Sequence, residues 1–190
     1  NLLIVLEHIN IAILKKLLNP VTKAKNYRIS PFCITYANLI SSSDVFPVKF
    51  LSMQWSYKVL WGSDVLGELK ISREHIRLRC EQEIKNLLLS LTRFYLFQID
   101  RTLTKTIYRT YKFFLECLRV LVSLKQGDLP SHSEVIDVAE RTLDLDTEVL
   151  HKIKTLRKSN KSLSDKEVEQ LYDELISILN KAAQIADKIG

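Results

Sequence analysis

The chain has 190 residues, 46% apolar and 26% charged, enough to bury a real core in one domain or two small ones. Four glycines and four prolines are too few for an all-β chain full of tight turns, and charge interrupts every apolar run before the ~20 residues that a membrane span needs. Net charge is +6, with two basic stretches: Lys15, Lys16, Lys23, Lys25 and Arg28 fall between Glu7 and Asp44 with no acid among them, and "HKIKTLRKSNK" covers residues 151 to 161.

Such an excess reads first as solvated faces and, more sharply, as an electrostatic footprint for nucleotide or RNA phosphates; its diffuse spread does not decide between them. Cys33, Cys80 and Cys117 are widely scattered, which suits buried thiols in a reducing cytosol better than a disulfide framework or a zinc site. "NLLIVLEHIN" has neither the basic start nor the small-residue cleavage site of a signal peptide. The expectation is a cytoplasmic protein with no membrane partner.

In chain order, "NLLIVLE" reads as a hydrophobic strand with no cap, turn or methionine before it, so residues upstream of it are expected. A short amphipathic helix follows from Ile11 to Leu18, closed near Asn19-Pro20. "PFCIT", 31 to 35, is a second strand and "YANLISSS" a short helical turn. "DVFPVKFLSMQW", 44 to 55, reads as a buried strand with Phe46, Val48 and Phe50 on one face and Lys49 on the other. A desolvated ammonium there is costly without a partner, which singles Lys49 out. "SYKVLWGSDVLGEL" reads as a helix broken at Gly62 and a loop, completing a small α/β pattern over residues 1–70.

Residues 71–190 read as helix only. Ser72 caps a helix with Ile76, Cys80, Ile84, Leu87, Leu88, Leu91 and Tyr95 at helical spacing. Leu103, Ile107, Tyr111, Phe114, Leu118 and Leu121 stripe a second, central helix ending at Gly127. Ser131 with Glu134 forms a capping box for a third helix to about Leu143, and a fourth spans roughly 146 to 158. Ser164 with Glu167 caps the last, lined by Val168, Leu171, Leu175, Ile178, Ala182 and Ile185. The expected class is α+β, mostly helical: a partial mixed sheet followed by an antiparallel five-helix bundle.

No metal cluster is legible, because His8, His75, His132 and His151 stand alone without a Cys or second His at ligand spacing. "WGSDVLG" lacks the lysine and spacing of a P-loop, and no Ser, His and Asp set assembles. Arg73, Arg77, Arg79 and Lys85 interleave with Glu74, Glu81 and Glu83, which reads as a solvated ion-pair face with Glu81 and Lys85 at favourable i, i+4 polarity. The alternative is that some of these arginines turn towards the first domain and meet phosphate, since guanidinium suits bidentate phosphate binding.

"NLLIVLE", "ISPFCIT", "SSDVFPVKFLSMQWSYKVLWGSDVL" and "ISREHIRLRCEQEIKNLLLSL" occur in an order and spacing that resembles a bacterial and archaeal family of nucleotidyltransferase-like proteins. "DVFPVKFL" and "HIRLRCEQEIK" carry the resemblance most specifically; it covers most of the chain, and the last helices match only as a helical pattern. It implies a polymerase-β-type mixed sheet, N-terminally incomplete here, before a helical bundle like that of aminoglycoside nucleotidyltransferases.

Active members carry a Gly-Ser turn, an Asp-x-Asp pair entering a strand and a third carboxylate on a later strand, so that two Mg²⁺ ions bridge the triphosphate and the attacking hydroxyl. The resemblance places the second Asp of that pair at Asn1, the turn and first Asp upstream of it, and acids where this chain has Lys49 and Ser52. An ammonium cannot coordinate Mg²⁺, although Lys49 could pair with an acid, or with nucleotide phosphate and so supply part of the charge that the metal would have supplied. The implied reading is a catalytically degenerate protein, with Asn1, Lys49 and Ser52 at the altered positions. It acts as a nucleotide- or partner-binding module, with Lys49, Arg73 and Arg77 as nucleotide-binding candidates and no resident metal.

One rival is an active nucleotidyltransferase that uses upstream residues, Mg²⁺ and ATP to move a nucleoside monophosphate to a small-molecule or protein hydroxyl. A second is a HEPN-like helical module that binds RNA or a partner; no Arg here has a His five to seven positions on, against a nuclease of that kind. The apolar surface of the helix at 101 to 125 would permit a homodimer.

Overall fold

The structure, a computed structural model, describes residues 2–97, 103–159 and 163–189. It is mostly helical with one small sheet, and it divides into two compact units, Asn1–Ile71 and Ser72–Gly190.

In the first unit, strands β1 (Leu2–Leu6) and β2 (Pro31–Thr35) pair in parallel, from Leu2 opposite Pro31 to Leu6 opposite Thr35. Helix α1 (Ile11–Lys25) connects them, its start fixed by the Asn10 side chain, which accepts the Ile13 N–H at 3.0 Å. The expected stop at Asn19-Pro20 is corrected: the helix runs through Pro20 for another turn. Proline removes one internal hydrogen bond and crowds a carbonyl one turn back. No residue of α1 is buried, so water can take the freed acceptor, while Lys23 and Lys25 suit the negative end of the helix dipole.

Thr35 then caps a short helix α2 (Tyr36–Ser41) by accepting the Asn38 N–H at 3.1 Å. The next segment is the main correction. "PVKFLSMQ", expected within a buried strand, is helix α3 (Pro47–Gln54). Pro47 occupies its first turn, where a missing N–H costs nothing and the fixed φ suits a helix; in a sheet interior it would break the ladder. The two-residue alternation fails accordingly, since Phe46 is 46% exposed while Phe50 is fully buried. The sheet among the described residues therefore has two parallel strands, and the expected mixed sheet is not built from this segment.

Residues 55–72 form a loop rather than the expected broken helix. The Gln54 amide donates to the Leu66 and Leu69 carbonyls at 2.7 and 2.8 Å, drawing that loop over α3. Leu66 and Leu69 thereby join Ile34, Leu39 and Phe50 in the unit's small core.

The second unit holds α4 (Arg73–Phe97), α5 (Leu103–Gln126), α6 (Val135–Leu143), α7 (Glu148–Ser159) and α8 (Asp165–Lys188). Ile76, Cys80, Ile84 and Leu91 are the buried stripe of α4, while Leu87 and Leu88 are half-buried and Tyr95 exposed. α5 buries ten residues, Phe114 and Leu118 completely, as expected of the central helix, and gives way to Gly127 at φ +90. α6 begins at Val135 rather than in a capping box from Ser131. The Ser131 hydroxyl does meet Glu134 at 2.6 Å, but residues 132–134 form a turn first. The box expected at Ser164 and Glu167 is present and starts α8.

Contacts fix the helix directions. Arg73 reaches the Leu124 carbonyl, Cys80 meets Cys117, and Arg109 lies over the Phe94 ring, so α4 and α5 run antiparallel. α4 and α8 do likewise, through Arg77 with Ala186 and Leu91 with Tyr172. α6 departs from the expected alternation. His132 lies at Glu116 and Thr142 at Gln126, so the segment after the turn runs back beside the end of α5 in the same direction. Among the described residues no helix is long and apolar enough to cross a membrane.

Candidate functional site

Lys49 lies on the exposed side of α3, and its ammonium sits 3.6 Å from the centre of the Phe32 ring on β2. The expected desolvated ammonium is thus corrected to a solvated one resting on a ring face, an arrangement worth roughly 0.5–1 kcal/mol at exposed sites. Helical geometry brings Ser52 onto the neighbouring turn, where it is half-buried. Asn1, the remaining altered position, lies outside the described residues. No ion pair joins Lys49 to a carboxylate among the described residues, and no group of three or more His, Cys, Asp and Glu there could hold a metal ion.

Arg73 and Arg77 belong to the second unit. Arg73 donates to the Leu124 carbonyl in the last turn of α5; Arg77 donates to Ala186 near the end of α8 at 3.3 Å and meets Glu81 at 3.4 Å. The rest of the charged face of α4 is paired as its spacing suggests: Arg79 with Glu83, and Lys85 with Glu81, whose carboxylate holds the Lys85 ammonium above its usual pKa.

Three of the four isolated histidines lie beside one acid rather than in a cluster, His8 at 3.8 Å from Glu7 being the most exposed. His132 lies 3.0 Å from Glu116, and His151 lies 3.3 Å from Asp137. A cleft of about 260 Å³ between α7 and α8, lined by Asp146, Glu148, Lys152, Glu174, Ser177 and Lys181 among others, was not expected from the sequence. Lys152 bridges Glu148 at 3.1 Å and Glu174 at 3.3 Å, so this cation already serves to join the two helices. The i, i+4 pair Glu148 and Lys152 was its one visible signal; the α8 half depends on tertiary packing.

Besides Gln54, one carboxylate ties the loop after α3. Asp64 accepts the Tyr57 hydroxyl at 2.7 Å and the Gly67 N–H at 2.9 Å, and its hydrogen bond and charge raise the pKa of Tyr57. This arrangement leaves Trp61 95% exposed at the tip, next to Gly62 at φ +84.

Compared with models of known protein families, with curated proteins and with solved structures, the chain matches none.

Proposed function

We propose that this protein is a nucleotidyltransferase-like, catalytically degenerate module that binds nucleotide through its phosphates without metal-dependent transfer. The observation that carries the reading is Lys49: an exposed cation, steadied on the Phe32 ring and unpaired with any carboxylate among the described residues. It stands at the sequence position where the family resemblance expects an acid, here on helix α3 rather than on the strand the resemblance implies, and an ammonium attracts phosphate and repels Mg²⁺. On this reading the first unit is an incomplete polymerase-β-type domain. The second is its helical bundle, built on the antiparallel α4, α5 and α8. Three cysteines without a disulfide suit work in the reducing cytoplasm.

Calorimetric titration with ATP tests the assignment of Lys49. Lys49→Glu is expected to weaken binding by about tenfold or more, about 1.4 kcal/mol, and Lys49→Arg to retain it. Equal affinity in wild type and both variants would remove Lys49 from the site.

A further inference from the structure

Cys80 on α4 and Cys117 on α5 are 1% and 6% exposed, and the Cys80 thiol donates to the main-chain carbonyl of Cys117 at 3.4 Å. The antiparallel register set by Arg73 with Leu124 puts the two cysteines opposite one another across the helix pair. Helices in contact lie 8–10 Å apart with Cα atoms about 2.3 Å from each axis, so facing Cα atoms approach to about 3.5–5.5 Å. The upper part of that range, from about 4.4 Å, is the Cα separation that a disulfide takes. The third cysteine, Cys33, belongs to the other unit.

We propose that Cys80 and Cys117 form a latent dithiol that closes to a disulfide when a small-molecule disulfide reaches it, clamping α4 to α5. The hydrogen bond with Cys117 and burial hold the Cys80 thiol protonated well above the usual pKa, so the more exposed Cys117 attacks first, during local opening of the helix pair. The Cys117 thiolate displaces one thiolate from the reagent and forms a mixed disulfide. The Cys80 sulfur, losing its proton, then attacks the Cys117 sulfur and expels the second reagent thiolate. Two protein thiols and one reagent disulfide thus become one protein disulfide and two reagent thiols.

The test is incubation of the whole chain with hydroxyethyl disulfide, followed by thiol titration and peptide mapping without reductant. The expected result is loss of the Cys80 and Cys117 thiols together, with a single linked peptide pair joining them and no reagent on either, while the half-buried Cys33 carries at most one reagent adduct. The urea midpoint of the treated protein should rise and return with dithiothreitol. Cys33→Ser should behave as wild type, and Cys117→Ser should show no rise. Three persisting thiols, or reagent adducts without a Cys80–Cys117 link, would overturn the proposal; because the map is made on the unsubstituted chain, it decides even where a variant fails to fold.

Discussion

Arg73 and Arg77 show how a guanidinium that looks poised for phosphate can be engaged by the fold itself. The last four carbonyls of a helix have no internal partner and carry the negative end of its dipole. Leu124 in α5 and Ala186 in α8 are two such carbonyls, and each accepts from an arginine on the first turns of α4. Arg77→Ala should therefore lower unfolding free energy in urea by about 1–2 kcal/mol. An unchanged urea curve with weakened ATP binding would instead assign the residue to the ligand.

Tyr172 makes a similar point with a proton. Burial first, and then the nearby Tyr95, push its hydroxyl up to about 12 from the usual 10, while the hydroxyl donates to the Leu91 carbonyl at 3.1 Å. A pKa raised in the folded state means that the fold prefers the neutral phenol. Its contribution is complete below pH 10 and is lost as pH climbs through about 12. Tyr172→Phe should cost about 1 kcal/mol at neutral pH yet flatten the decline in stability over that alkaline window. Parallel declines in the two proteins would mean that another group governs it.

At the scale of elements, legibility followed how local the determining interaction is. The α8 start was readable because the Ser164 side chain and Glu167 satisfy each other's backbone within four residues. Ser164→Ala should cost about 1 kcal/mol, measured by urea denaturation; no loss would show that packing of Val168 and Leu171 alone sets the helix start. β1 and β2 were equally plain, as short apolar runs between breakers. α3 misled because Phe46, Val48 and Phe50 alternate over too few residues to separate a strand from a helix. Pro47 was the discriminating residue, since its missing N–H suits a first helical turn. The error at α1 has the opposite origin: a proline on a solvated helix kinks or perturbs it without ending it. The turn before α6 used Ser131 and Glu134 as expected partners but left the helix to begin at Val135.

Across the whole molecule, the mostly helical α+β character was legible from composition and periodicity, whereas helix direction was not. The α4–α5 and α4–α8 pairs are fixed by contacts between residues far apart in sequence, and α6 beside α5 follows from where Glu116 and Gln126 find their partners. The candidate site was legible as chemistry but not as geometry. Lys49 was singled out by its charge among apolar residues, and the sequence could not indicate that Phe32 would support it in solvent. The α7–α8 cleft escaped notice because its charges come from helix faces joined only in three dimensions.

The most direct test of a metal-free, phosphate-binding module is calorimetric titration of the protein with ATP in the presence and absence of Mg²⁺. The account predicts binding in EDTA that is no weaker than binding with Mg²⁺, because the ammonium of Lys49 takes the place of a metal at the phosphates. Binding that appears only with Mg²⁺ would contradict it, and so would no binding in either condition.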